Sequence, residues 1–146
     1  ILEAYREAWR EAGHPGNGEV MLAFHMFVDR DGERARRIAK PRIDAYLAAI
    51  VEASSDWATG TTSKDYAGYD KMVEKLKAET FETQVESGSA WVGTPAEVRA
   101  TIARVREEYG DFDHASMQVN FFDLGLEDAL RSLELFSQEV IGHVTV

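Results

Sequence analysis

Apolar residues fall at helical spacing over Leu2 to Glu11, where Tyr5, Ala8 and Trp9 share one face, and the pattern stops at Gly13 and the turn-rich His14-Pro15-Gly16-Asn17-Gly18. The period then changes. From Glu19 to Val28 both alternate sets are apolar: Val20, Leu22, Phe24, Met26 and Val28 on one side, Met21, Ala23, His25 and Phe27 on the other. Such a strand must be covered on both faces, as in a parallel sheet or a barrel. Asp31 is placed to cap a second helix from Gly32 towards Glu52, which Pro41 is expected to kink or restart because proline lacks the amide donor. Ser54 to Gly68 is polar and aperiodic, and a third helical stretch runs from about Tyr69 to Val85. Pro95 to Tyr109 is a fourth helix ended by Gly110, and Ala115 to Phe122 is a strand. Leu126 to Ile141 closes the chain as a helix whose buried stripe is expected to be Leu126, Ala129, Leu130, Leu133, Phe136 and Val140. No internal repeat or composition break divides residues 1–146, which are expected to form a single domain.

The sharpest local signal is Ser89-Ala90-Trp91-Val92-Gly93-Thr94-Pro95-Ala96-Glu97-Val98. An extended apolar lead-in turns through Gly93 into a helix with Thr94 at the N-cap, Pro95 at the first position and Glu97 at the third. This is strand-turn-helix punctuation with a capping box. In an α/β protein the junction lies at the carboxyl end of the strands, where ligands bind, and the helix start offers N–H groups to an anion. Gly93 and Thr94 are therefore candidate cofactor contacts, against a purely structural cap. The strand ending at Phe122 has unequal faces: Ala115, Met117, Val119 and Phe121 should meet helices, and Ser116, Gln118, Asn120 and Phe122 should face inward. Asn120 becomes the leading ligand-site candidate with Gln118 one layer deeper, unless the amides only satisfy each other or water. The same logic turns His25 and Phe27 inward, with His25 either a core histidine or part of a substrate pocket.

Composition changes the picture in three places. The chain is 45% hydrophobic and 29% charged, with no run long enough to cross a membrane. Sixteen Lys plus Arg against 26 Asp plus Glu give a charge of −10, which disfavours nucleic acid and anionic membranes and points to a small molecule or a protein as partner. With no cysteine there is no disulfide, thiolate metal site or Cys nucleophile, which fits a cytoplasmic setting. The four histidines lack metal-ligand spacing, pairs such as Glu107 and Glu108 read as solvated helix faces, and there is no nucleotide-fold glycine loop. The pattern opens directly on a helix with no signal peptide, as though mid-fold. A full eight-stranded barrel needs about 250 residues. The fold expected is α/β, the carboxyl-terminal portion of a TIM-like barrel with its last two or three βα units and a helical insertion at about 54–88. A compact small α/β sandwich is the alternative.

Three signatures in order carry a family resemblance: Gly68-Tyr69-Asp70 after the polar loop, Val92-Gly93-Thr94-Pro95 before a helix, and Arg131-Ser132-Leu133-Glu134-Leu135-Phe136-Ser137-Gln138-Glu139-Val140 in the last helix. With Val28-Asp29-Arg30-Asp31 and Asp44-Ala45-Tyr46-Leu47, they resemble the carboxyl-terminal part of the bacterial luciferase-like flavin-dependent monooxygenases. The resemblance implies that Glu19 to Val28 and Ala115 to Phe122 are the seventh and eighth barrel strands. It also makes Trp91-Val92-Gly93 a lead-in and not a full strand, and the stretch from Ser54 to Gly88, with Gly60, Thr61, Thr62, Ser63 and Gly68, a mobile active-site segment.

The resemblance further implies an oxidoreductase using reduced FMN and O2 on an aldehyde or other apolar molecule, supplied by a flavin reductase and working as a homo- or heterodimer. A deazaflavin enzyme of the same superfamily, a non-catalytic partner subunit and an inactive fragment are the alternatives. The long segment before Val92 favours the catalytic type. Such an enzyme needs no nucleophilic triad, because the cofactor carries the chemistry while the protein positions it and excludes water. Trp91 as an aromatic wall and Asn120 as a hydrogen-bonding group are then expected beside the flavin, with Gly93 and Thr94, while His25, Phe27 and Gln118 line the substrate pocket. The catalytic side chains are unknown, being expected in earlier strands. Trp91 has a simpler reading as a packing residue.

Overall fold

The computed structural model describes residues 1–60, 69–110 and 112–144. Its elements are α1 (Leu2–Glu11), β1 (Met21–Val28), α2 (Gly32–Gly60), α3 (Tyr69–Ala78), α4 (Phe81–Glu86), β2 (Ala90–Gly93), α5 (Pro95–Tyr109), β3 (His114–Gln118), α6 (Leu126–Glu139) and a 3-10 turn at Ile141–His143. The residues Thr61, Thr62, Ser63 and Gly68 of the expected mobile segment lie outside the described residues.

The three strands form one parallel sheet in the order β2-β1-β3. The first crossover leaves β1 for one side, and the second returns past β1 to the other. Right-handed crossovers run in opposite directions place their helices on opposite faces. Hence α2 and α4 pack with Phe27, Ala90 and Val92 on one face, while α5 and α6 pack with Phe24, Met26 and Trp91 on the other. The two apolar sets of β1 are both used. The described residues form a mixed α/β arrangement around a small parallel sheet in which β1 and β3 are neighbours, consistent with part of a TIM-like barrel, and a closed barrel is not seen among them.

Several boundaries differ from the sequence expectation, each for a local reason. Helix α2 runs through Pro41, which is exposed, and continues beyond Glu52 to Gly60. Asp31 Oδ1 caps its start by accepting from the Glu33 and Arg34 amides at 3.0 and 3.1 Å, and Ala35, Ala39, Ile43 and Leu47 bury one unbroken face. The Arg42 guanidinium donates to the Ile38 carbonyl at 2.9 Å, next to the proline. The third helical stretch breaks in two because Thr80 adopts extended backbone and forms a reciprocal capping box with Thr83. Asp44 Oδ1 then accepts the Phe81 amide at 2.8 Å, docking α4 on α2.

Trp91-Val92-Gly93 belongs to a true strand, with Met26 opposite Trp91 and Phe27 opposite Val92. This corrects the lead-in reading. Strand β3 stops at Gln118, short of Phe122, which has φ 53°. The freed edge of β1 is taken up by α6, where the Val28 amide donates to Ser132 Oγ at 2.7 Å. Seating Ser132 turns the helix so that Ala129, Ser132 and Phe136 are buried, whereas Leu126, Leu130 and Leu133 of the expected stripe are exposed. Phe121, expected on the helix-facing set of its strand, instead folds over to the α2 side.

Candidate functional site

His25 stands in the middle of β1, on the face that looks towards α2. Its amide donates to the Ser89 carbonyl at 3.0 Å, so the turn before β2 fixes it from one side, and parallel pairing sets Gln118 opposite it from the other. The ring lies edge-on to Tyr46 of α2 and to Phe121, with centroids 5.0 and 5.5 Å away. It is 9% exposed, and Nε2 is buried with no hydrogen-bond partner among the described residues. Burial lowers its pKa below the ordinary value of 6.5, so the ring is neutral at pH 7. Neutral imidazole keeps one acceptor and one donor nitrogen.

Around His25 lies a cavity of about 290 Å³, which Tyr46, Gln84, Ser89, Ser116 and Gln118 also line. No Lys, Arg, Asp or Glu borders it among the described residues. Gln84 is held by its amide nitrogen, which donates to Glu79 at 2.8 Å. The cavity adjoins, through Ala23, Phe24 and Ser89, a larger groove of about 760 Å³ bordered by Arg6 and Tyr109. A third hollow of about 300 Å³ at the carboxyl end of β1 carries Arg30 and Arg131. Both guanidinium groups are already engaged, with Glu139 and Asp128.

The structure brings His25 and Gln118 together and separates the other candidates from them. Phe27 is 1% exposed and belongs to the core beneath α2. Asn120 is exposed beyond the end of β3 and does not border the cavity. Trp91 points to the opposite face, stacked on Phe24 at 4.1 Å and beside Phe136 at 6.3 Å, so it cannot wall a site that contains His25. Its buried indole N–H has no partner among the described residues. At the start of α5 the Thr94 amide and hydroxyl both donate to Glu97 Oε2, at 2.7 and 2.9 Å. Hydrogen bonds from Arg36 and the Thr94 amide lower the Glu97 carboxyl to about 2. The negative group at this helix start, beside Gly93 and Thr94, is thus the protein's own carboxylate.

Sequence reasoning missed Tyr46, Gln84 and Ser89 as cavity residues. Tyr46 sits within the Asp44-Ala45-Tyr46-Leu47 stretch, but nothing in its spacing says that α2 covers this face. Gln84 depended on recognising the break at Thr80.

The buried neutral histidine has a measurable consequence. Its folded pKa is lowered, so the unfolded chain binds the proton more readily, and stability is full above pH 6.5 and falls as pH drops through and below that value. Urea titrations between pH 8 and 5 should show this loss, and His25→Phe should remove most of it.

Among the described residues no group of three or more His, Asp or Glu is arranged to hold a metal ion, and no helix is long and apolar enough to cross a membrane. Among curated proteins none matches the chain. Among solved structures, the chain is similar to the monooxygenase RslO1 from Streptomyces bottropensis, with 25% identity and a TM-score of 0.63. The match covers 99% of this chain and 37% of that one, so the chain spans well under half the length of its structural relative. The model of the luciferase-like monooxygenases matches residues 1–111, which include β1, the His25 cavity's contributions from α2 and α4, and the whole of the β2-to-α5 junction. The chain belongs to the luciferase-like monooxygenase family.

Proposed function

We propose that the protein is a flavin-dependent monooxygenase that uses reduced FMN, delivered by a separate reductase, and O2 to oxygenate an uncharged small molecule. Family membership over residues 1–111 carries this reading. The long segment between β1 and β2, which supplies α2, α3 and α4, supports a catalytic subunit over a supporting one. Reduced flavin, when bound, supplies the electrons that activate oxygen.

The cavity suits one part of that cofactor and not another. The Tyr46 ring and the neutral polar groups of the cavity suit an uncharged ring. A phosphate does not fit there, because no cation borders the cavity among the described residues. The chain's own part in the reaction is therefore to orient a neutral ring and exclude water. Tyr46 and Phe121 confine the imidazole, and Gln118 and Ser116 offer donors and acceptors from β3.

Supplying the protein with reduced FMN, 18O2 and a panel of aldehydes and aromatic ketones tests the reading. One labelled oxygen atom in the product is expected. Turnover that proceeds with reduced deazaflavin and incorporates no label would assign the protein to the deazaflavin oxidoreductases instead.

A further inference from the structure

We propose that the outward leucine stripe of α6, beside the edge strand β3, is an interaction surface for a partner's amphipathic helix whose apolar face is flanked by Lys or Arg. The inference stands apart from the proposed function. Leu126, Leu130 and Leu133 recur at the spacing that places them on one helix face, and they are 69%, 55% and 39% exposed. Phe122 and Ile141 leave further apolar surface exposed just before and just after the helix. Rolling the helix cannot hide this stripe. Ser132 Oγ holds the Val28 amide at 2.7 Å, and Ala129 and Phe136 are buried with Ser132 on the side that faces the sheet. Nor does the fold supply a cover: among the described residues β3 pairs only with β1, its outer edge is free, and no helix lies broadly on it. Leucines exposed on successive turns of a fixed helix are the acceptor pattern for a second helix.

Charge selects the partner. Glu127 and Glu134 each follow a leucine of the stripe and border it on one side, and neither has an ion pair or hydrogen bond among the described residues. By contrast, Asp128 is paired with Arg34 and Arg131, and Glu139 with Arg30. A second copy docked α6 to α6 would bring the free carboxylates, on chains of formal charge −10, against their own kind. A helix with Lys or Arg beside its apolar face offers the complementary sign.

The test is fluorescence anisotropy of two labelled three-heptad peptides titrated with the full protein. Both carry Leu at the core positions of each heptad, one with Lys and the other with Glu at the flanking positions. The Lys peptide should bind tighter than the Glu peptide by about tenfold or more, and its affinity should fall as salt is raised. Leu130→Ser with Leu133→Ser should weaken it by about tenfold or more. The urea midpoint should stay unchanged in that variant, because both side chains are exposed. Glu127→Lys with Glu134→Lys should reverse the preference to the Glu peptide, which general attraction of a basic peptide to an acidic protein would not do. Equal affinity for the two peptides, or binding of the Lys peptide that is indifferent to the leucine substitutions, would overturn the proposal. So would sedimentation as a dimer that the same leucine substitutions dissociate, since the stripe would then belong to a second copy.

Discussion

Phe27→Ala is expected to destabilise the protein by about 3–5 kcal/mol, the usual cost of emptying a large aromatic site in a packed core. Phe27 is 1% exposed and sits in the cluster formed with Ala39, Ile43, Val92 and Phe121. The cavity left behind would lie between two elements, α2 and the sheet, that cannot close on it without breaking the register of β1 with β2. Phe27→Leu, which keeps most of the volume, should cost under about 1.5 kcal/mol. Urea denaturation of the three proteins measures both effects. The result also separates two roles for this residue. A pocket residue would change ligand affinity and leave the denaturation midpoint nearly fixed, whereas a core residue does the reverse.

Gly88→Ala should be nearly as damaging, at roughly 2–5 kcal/mol, because two penalties coincide. Gly88 follows α4 with φ 77°, a left-handed conformation that any side chain resists. A Cβ there would also come within 2.4 Å of Val105 Cγ2, and Val105 is 1% exposed. The next residue, Ser89, accepts the His25 amide and borders the cavity, so the substitution should weaken ligand binding as well as stability. Val105→Ala in the same chain should return the part of the stability loss that comes from the clash and leave the backbone part. A Gly88→Ala protein as stable as the original would contradict the geometry assigned to this turn.

These two residues show what could be read from the sequence and what could not. The doubly apolar pattern of β1 announced coverage on both faces, and the structure supplies it with α2 on one side and α5 and α6 on the other. Thr94-Pro95-Ala96-Glu97 gave the start of α5 to the residue, since capping chemistry is local. Ser116 and Gln118, the part of the polar set that lies in β3, sit on the face away from α5 and α6, which brings Gln118 beside His25, whereas Asn120 and Phe122 fall beyond the strand's end. Topology was harder. Whether β2 lies beyond β1 or beside β3 depends on crossover direction, and nothing local to Ala90-Trp91-Val92-Gly93 encodes it. For the same reason the residues around Trp91 do not say which face of the sheet it joins.

The site was only half legible because its walls come from distant segments. Tyr46 and Gln84 reach His25 through the docking of α4 by Asp44 and through the break at Thr80, both tertiary outcomes. Phe27 and His25 are neighbours of equal parity on one strand, yet one is sealed beneath α2 and the other opens on a cavity. Strand alternation gives the face and says nothing of how far along it the covering helix extends. Likewise, the apolar residues of α6 fixed its helical period, but the bond from the Val28 amide to Ser132 decided which of them turned inward.

Anaerobic titration of reduced FMN into the full protein, followed by admission of oxygen, decides whether this protein carries flavin-dependent oxygen chemistry. Saturable binding with oxygen uptake that depends on the protein is the result predicted for a luciferase-like monooxygenase. A protein that binds no reduced FMN and leaves the rate of oxygen uptake unchanged would contradict it.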